Sequence, residues 1–437
     1  MNAELMDHLA MGTGIALLAC FALLFMVYRE LAPAGGLSER GKLLLTVGVG
    51  MGVFAFATKV AALVVMVAVP ELTIAPLTTL HTAKRQGQPQ HREHVTPAEL
   101  MLFRPHYVWR TLPAAVPVSA EMAALGKRLF NDVNLSRDRS VACASCHDVE
   151  AGAGVDGLRT SEGIGGQVGS RNAPTVWNAA YQDKLFWDGR APSLEEQAKG
   201  PPVNPIEMGM HRLEDVVARV AEDAGYRRSF EWLFGDTGID IERITSAIAA
   251  YERTLVAADT PYDRYVAGDE SALSPAQVRG MKLFASVGCV VCQHGPNFSS
   301  ASRFDARAPY RLFPAFANDY TRRYRLDEDG GRLPDDARQG ARRGLWRVPS
   351  LRNVALTAPY FHNGAVDKLE EAVRVMATAQ LGRRIVAQRS GVGEGGRELA
   401  EADVRDIAEF LEALSSDRLA AGMRSASAQD WQLAARM

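Results

Sequence analysis

Two long apolar segments stand near the start of the sequence. Leu9–Tyr28 carries no charged residue, and Leu43–Val69 carries a single one, Lys59. Each segment is long enough to cross the hydrocarbon core of a bilayer as a helix. No Lys or Arg precedes the first segment, whereas the loop between the two is basic, so the positive-inside rule places that loop in the cytoplasm. The pattern predicts a two-helix transmembrane hairpin over residues 1–70.

A cleaved signal peptide is the alternative for the first segment. Such a peptide begins with a basic region, which is missing here, and a second apolar segment follows. The hairpin is therefore favoured, with the large C-terminal part outside the cytoplasm. Residues 71–115 are polar and contain four histidines whose spacings fit no tight metal-ligand set. This segment is predicted to be a linker.

Beyond the linker, apolar positions follow a helical period, and the same plan occurs twice. Ser119 and Ser274 are candidate helix caps, and each precedes an amphipathic segment that ends shortly before a pair of cysteines. A second amphipathic helix closes each copy; these two helices carry Ile241, Ile244, Ile248, Tyr251 and Leu255 in one copy, and Val404, Ile407, Leu411 and Leu414 in the other. Strand-type alternation is scarce. The sequence predicts two mostly α-helical domains in tandem, over residues 116–262 and 263–420, followed by a tail over 421–437.

Composition and charge narrow the classes of function. The 437 residues include 49 basic and 51 acidic side chains, a balance that argues against a nucleic-acid partner. The five cysteines are too few for a disulfide scaffold. Cys20 lies in the first apolar segment, and the other four form two Cys-x-x-Cys pairs, Cys143/Cys146 and Cys289/Cys292.

The first pair is followed directly by His147. Two thiols at this spacing add across the two vinyl groups of one haem, and the next residue is then placed to ligate the iron. A zinc half-site or a thioredoxin-like pair explains neither this histidine nor the extracytoplasmic location, so the motif favours haem c. The second pair departs from the pattern, because Gln293 occupies the ligand position and His294 comes one place later.

Several longer motifs follow one another in a fixed order. They are Leu-Ser-Arg-Asp (135–138) with Cys-x-x-Cys-His, Arg-Asn-Ala-Pro-Thr (171–175), Phe-Trp-Asp-Gly-Arg (186–190), Gln-Ala-Lys-Gly-Pro (197–201), Cys-x-x-Cys-x-x-Gly-Pro-Asn-Phe (289–298) and the run from Val348 to Gly364. On these motifs the chain resembles the bacterial di-haem cytochrome c peroxidases, a family that includes the MauG-type enzymes. The resemblance covers roughly residues 116–415 and implies two cytochrome c-type domains, each holding one haem c.

The resemblance also implies roles for individual residues at the first haem. His147 is the proximal ligand of the haem that reacts with peroxide, and Cys143 and Cys146 attach it. Gln197 and Glu207 match the distal pocket, with Glu207 as the acid and base for O–O cleavage. Trp187 matches the tryptophan between the two haems.

At the second haem, Cys289 and Cys292 are the attachment pair, and Met376 matches the sixth iron ligand. Met376 stands fourteen residues after His362, as the family pattern requires. A Met ligand favours the peroxidase branch, because MauG-type enzymes have a Tyr there. A calcium site between the domains is implied as well, with Asn172, Thr357 and Pro359 as its ligands.

Two positions depart from the usual peroxidase pattern. Ile164 stands where these peroxidases have a distal histidine, which predicts a five-coordinate first haem that needs no reductive activation. Gln293 leaves three outcomes open for the second haem. His294 takes the proximal position, or the haem has no normal proximal ligand, or the haem is not attached and the thiols are a relic or a disulfide. The retained motifs around this pair favour a second haem.

Three functions remain in competition. The leading one is a membrane-anchored peroxidase that reduces hydrogen peroxide to water with electrons from a cytochrome c, a cupredoxin or a membrane redox complex. The second is a MauG-type oxidase of a partner protein's side chains. The third is an electron-transfer subunit with no peroxide chemistry. A homodimer is a further expectation.

Overall fold

The computed structural model describes residues 110–113, 116–304, 308–332, 344–388 and 398–434. These residues belong to one compact unit. In this described part no helix is both long and apolar enough to cross a bilayer. The transmembrane hairpin predicted for residues 1–70 and nearly all of the linker lie outside the described residues.

Short helices joined by long loops make up most of the structure, which confirms the predicted mostly α-helical class. The first half contains α1 (Ala120–Phe130), α2 (Cys143–Cys146), α3 (Leu194–Ala198), α4 (Gly200–Val203), α5 (Leu213–Glu222), α6 (Ala224–Phe234) and α7 (Ile241–Thr254). The second half contains α8 (Pro261–Val266), α9 (Pro275–Ser286), α10 (Asp319–Arg323), α11 (Leu369–Val375), α12 (Glu401–Glu412) and α13 (Asp417–Ala434). Two small sheets belong to the second half: β1 (Tyr310–Leu312) pairs antiparallel with β2 (Leu345–Arg347), and β3 (Arg384–Val386) pairs parallel with β4 (Glu398–Ala400).

The crossing of α1 and α7 forms the frame of the first half. The hydroxyl oxygen of Ser119 accepts a hydrogen bond from the Met122 N–H, so the predicted cap begins α1. The helices approach closely at Gly126, where a Cβ atom would lie 1.8 Å from the Ala247 carbonyl oxygen. Only glycine allows this approach, which brings the apolar faces of both helices into one buried cluster with Phe130.

The second half repeats this frame with α9 and α12. Ser274 and Gln277 form a capping box, and Pro275 occupies the first position of α9. The crossing again occurs at a glycine, since a Cβ on Gly280 would lie 1.7 Å from the Asp406 carbonyl oxygen. The predicted internal repeat therefore includes the glycine contact at which the two helices of each half cross.

An asparagine at the same place in each half fastens the loop after the cysteine pair to the closing helix. Asn178 and Asn353 both adopt left-handed backbone conformations, with φ of 63° and 61°. The Asn178 N–H donates to Leu255 O at 2.8 Å, and the Asn353 N–H donates to Leu414 O at 3.0 Å. These bonds fix the loops that line the site.

Candidate haem sites

A cavity of about 1160 Å³ is lined by residues of both halves. Both cysteine pairs border it, together with the residue that follows each pair, His147 or Gln293. The loops between the helices are wrapped around this space.

The first cysteine pair forms the single turn α2. The His147 N–H donates to Cys143 O at 3.0 Å, which continues the turn and places the histidine on the cavity wall. Its Nδ1 lies 3.3 Å from Gly154 O, so this atom carries the ring proton and Nε2 is left as the metal-binding atom. Burial lowers the pKa of His147, which keeps the ring neutral and able to ligate iron.

The four cysteines of the two pairs form no disulfide, and burial shifts the pKa of the first cysteine in each pair. It raises the pKa of Cys143 to about 12 and that of Cys289 to about 12. A redox-active pair would need a lowered pKa, so a thioredoxin-like role does not fit. Nor does the described part of the chain hold a cluster of three or more His, Cys, Asp or Glu residues for a metal ion.

Buried polar atoms without hydrogen-bond partners are spread along the cavity wall. They are Ser161 Oγ, Trp177 Nε1, Gln182 Oε1, Glu252 Oε2, Trp346 Nε1, His362 Nε2 and Gln380 Oε1. Buried polar groups are nearly always paired in folded proteins, so such a series indicates a large occupant with polar groups of its own. The volume, the two thiol pairs and the neutral His147 fit haem c.

Glu207 lines the same cavity as His147. Gln197, on α3, lines this cavity as well. Asn204 Nδ2 donates to Glu207 Oε1 at 2.7 Å, and the Ile164 N–H donates to Glu207 O at 2.9 Å. These bonds fix both the side chain and the backbone of Glu207. Burial raises its pKa, against the opposing effect of the positive charge of Arg190.

Ile164 is buried and is not part of the cavity wall. Its side chain packs against Gly209, where a Cβ atom would lie 2.0 Å from Ile164 Cδ1. The loop that provides a distal histidine in the usual peroxidases is therefore closed here by apolar packing. Of the described residues lining the cavity, the histidines are His147 and His362.

Trp187 lies where the two halves meet. Its indole Nε1 donates to Asn172 O at 2.9 Å, and its own carbonyl accepts from the Arg347 N–H at 3.0 Å. The Asn172 N–H in turn donates to His362 O at 2.8 Å. Trp187 is thus fixed from both sides, and its side chain borders the cavity shared by both sites.

The three predicted calcium ligands, Asn172, Thr357 and Pro359, also line this cavity. Asn172 Nδ2 donates to Leu158 O at 3.0 Å, so the side-chain oxygen of Asn172 is the atom that could bind a cation. Oxygen atoms of this kind suit calcium. The calcium site itself stays a prediction.

At the second pair, the structure separates the two residues that follow Cys292. Gln293 lines the cavity and is buried, whereas His294 is not part of the cavity wall, and its Nδ1 lies 3.0 Å from Val290 O. Met376 borders the cavity at the point where α11 passes into a wider π-helical turn, a feature that often marks functional sites.

Comparison with known proteins agrees with this geometry. The model of the di-haem cytochrome c peroxidase family matches residues 120–271. Cytochrome c peroxidase Ccp of Escherichia coli is 39% identical over 307 residues, which cover 70% of this chain and 60% of that protein. Cytochrome c551 peroxidase of Nitrosomonas europaea is 38% identical over 310 residues, covering 70% of this chain and 84% of the relative. The chain belongs to the di-haem cytochrome c peroxidase family.

Structural comparison gives the same result. The crystal structure of a MauG-like protein associated with microbial copper homeostasis superposes with a TM-score of 0.56 and 30% identity, covering 72% of this chain and 95% of that one. As a member of the di-haem peroxidase family, the protein is an oxidoreductase, and the family implies haem c as its cofactor.

Two features of this di-haem site were missed by sequence reasoning. Glu252 is fully buried on α7 with one oxygen unpartnered, and burial raises its pKa to about 8. Its place four residues after Ile248, on the apolar face of the predicted helix, was an available signal. His362 stacks on Trp346 with ring centroids 4.1 Å apart, and burial lowers its pKa to about 4. No sequence signal links these two residues, because Trp346 lies on β2 and His362 on a loop that folds back against it.

Proposed function

We propose that this protein reduces hydrogen peroxide to water at the first haem site, with electrons from a small cytochrome c, a cupredoxin or a membrane redox partner. The overall reaction consumes one peroxide, two electrons and two protons and yields two waters. The observation that carries the proposal is the buried carboxyl of Glu207, fixed by Asn204 in the cavity that His147 also lines.

Haem c attached to Cys143 and Cys146, with His147 as its ligand, would supply a redox-active iron that binds peroxide. The protein's own contribution is proton transfer. Glu207 accepts a proton from one peroxide oxygen and returns it to the other as the O–O bond breaks, and Gln197 orients the substrate by hydrogen bonding. Burial raises the pKa of Glu207, which makes this carboxyl a better proton acceptor than a solvent-exposed glutamate.

The apolar closure at Ile164 supports a first site that is open in every redox state. With no histidine from this loop, a haem held by His147 would be accessible to peroxide and would need no prior reduction of its partner. A freshly oxidised sample should show a high-spin, five-coordinate first haem by absorbance and resonance Raman spectroscopy. A low-spin, six-coordinate first haem would contradict this.

The second site provides electron entry in this proposal. A haem held by Cys289 and Cys292, with Met376 on one face, would take electrons from the donor, and Trp187 would pass them between the sites. The transmembrane hairpin would hold the enzyme at the bacterial inner membrane facing the periplasm. Fractionation of cells expressing the full chain tests this location, because deletion of residues 1–70 should release the enzyme from the membrane.

A MauG-type oxidation of a partner protein is the second candidate. The open first site favours it, as does the structural similarity to a MauG-like protein. Met376 at the second site favours the peroxidase instead, and Glu207 disfavours a purely electron-transferring subunit.

The test is turnover of hydrogen peroxide with reduced cytochrome c by the holoprotein. We expect Glu207→Gln to lower kcat by roughly 10²–10⁴-fold, the usual contribution of a general acid–base group. Glu214→Gln, an exposed carboxyl on α5, is the matched control and should leave turnover unchanged. Wild-type activity no higher than that of free haem would contradict the proposal.

A further inference from the structure

Gln293 occupies the same backbone position as His147, one half later in the chain. The His147 N–H donates to Cys143 O at 3.0 Å, and the Gln293 N–H donates to Cys289 O at 2.9 Å. The turn that aims the histidine at the first haem is therefore closed in the same way at the second pair. Gln293 is buried. Both Gln293 and His147 border the cavity.

The side chains of the two residues are also anchored alike. The His147 Nδ1 lies 3.3 Å from Gly154 O, and the Pro174 backbone also acts on the pKa of the ring. The hydrogen-bonding surroundings orient the Gln293 amide with its nitrogen toward Phe298 O at 2.5 Å and Pro349 O at 3.0 Å. Pro349 is the counterpart of Pro174, because each stands four residues before the asparagine that fastens its loop.

These two bonds use both N–H groups of the Gln293 amide. The atom left to bind a metal is its carbonyl oxygen, Oε1. This atom is the same number of bonds from Cβ as Nε2 of a histidine, the atom that ligates iron in a regular haem c motif. An amide oxygen is uncommon as an axial ligand but is known in that role at copper sites.

His294 is held in a different place. Its Nδ1 lies 3.0 Å from Val290 O, and its carbonyl accepts the Ser299 N–H at 3.0 Å. To reach the cavity wall it would have to displace Gln293, which the bonds to Cys289, Phe298 and Pro349 hold in place.

We propose that Oε1 of Gln293 is the proximal ligand of the second haem iron. The inference rests on the proposed presence of a second haem, with Met376 on the opposite face. An amide oxygen is a harder and weaker-field donor than imidazole, so it favours ferric over ferrous iron and a high-spin over a low-spin state. The second haem is then a high-spin centre of lower reduction potential than a His/Met haem.

The experiment uses ferric holoprotein, with haem content determined by pyridine haemochrome and spin states by electron paramagnetic resonance. In the wild type we expect two haems per chain, both high-spin. Gln293→His should restore a regular motif, convert one of the two to low-spin, and so lower the high-spin signal about 2-fold while raising the potential of that haem. His294→Ala is the matched control and should leave the spectrum unchanged.

Three results would overturn the proposal. A low-spin second haem in the wild type means that a stronger ligand is bound. A spin-state change in His294→Ala, with none in Gln293→His, assigns the ligand to His294. A single haem in the wild type removes the site. Peroxide turnover by the wild type and by Glu207→Gln is measured separately. A failure of the Gln293 proposal is therefore distinguishable from a failure of the peroxidase proposal.

Discussion

The two candidate haem sites of this protein share one frame and differ in the residues that face the cavity. Gly126 and Gly280 allow the same close helix crossing, and Asn178 and Asn353 fasten the same loop. In each half these contacts are made to a backbone carbonyl oxygen, which is present whatever side chain that residue carries.

Cavity residues at matching positions are unlike one another. His147 corresponds to Gln293, and the buried acid Glu252 corresponds to Leu411, since each lies three residues before the carbonyl that accepts the asparagine N–H. The difference teaches that the frame specifies where a haem is held, whereas a few side chains decide what each haem does. In the proposed function, the first site carries the proton-coupled chemistry, and the second, lined by Leu411, carries electron transfer.

Among the predictions, loss of one cysteine pair should have the largest effect on turnover and should separate the two sites most clearly. Replacing Cys143 and Cys146 with alanine should abolish peroxide turnover, because the reactive haem is lost. Replacing Cys289 and Cys292 should abolish only turnover supported by the donor, while the chemically reduced protein still reacts with peroxide in stopped-flow measurements. Donor-supported turnover in the second variant would contradict the division of roles, provided that haemochrome analysis shows one haem in each variant.

The second half has a buried ion pair where the first half has an aromatic side chain. Arg352, the counterpart of Trp177, is fully buried, and its Nη2 lies 2.9 Å from Asp263 Oδ1. Asp263→Ala leaves this cation unpaired, so we expect the free energy of unfolding to fall by about 3–5 kcal/mol. Denaturant unfolding of the holoprotein measures it. Asp406→Ala is the control, because its partner Arg279 is more than half exposed and the pair should contribute about 1 kcal/mol or less.

Glu252 should make the first half sensitive to pH in a way that the second is not. Its pKa is raised from 4.5 in the unfolded chain to about 8 in the folded state, so the folded protein holds the proton more tightly. Stability is therefore lost as the pH rises from 4.5 to 8, by about 4 kcal/mol. Glu252→Gln should raise Tm at pH 8 and leave it nearly unchanged at pH 4.5. An equal shift at both pH values would show that ionisation is not the cause.

Features whose residues lie close together along the chain could be predicted from the sequence, whereas features built from distant segments could not. The haem motif Cys143–His147 lies within one turn, so spacing alone identified it, and the helix pattern after Ser119 was equally local. Glu207 comes from a loop far along the chain, and only the resemblance to a family connected it with His147. The choice between Gln293 and His294 depends on distant carbonyl groups such as Pro349 O, which no local pattern reveals.

The central claim is that one frame holds two haems in this chain despite the change at Gln293. The most direct measurement is the haem content of purified holoprotein, determined by pyridine haemochrome and intact mass. The account predicts two covalently attached haems per chain, one on each cysteine pair. A single haem, with Cys289 and Cys292 as unmodified thiols or a disulfide, would contradict it.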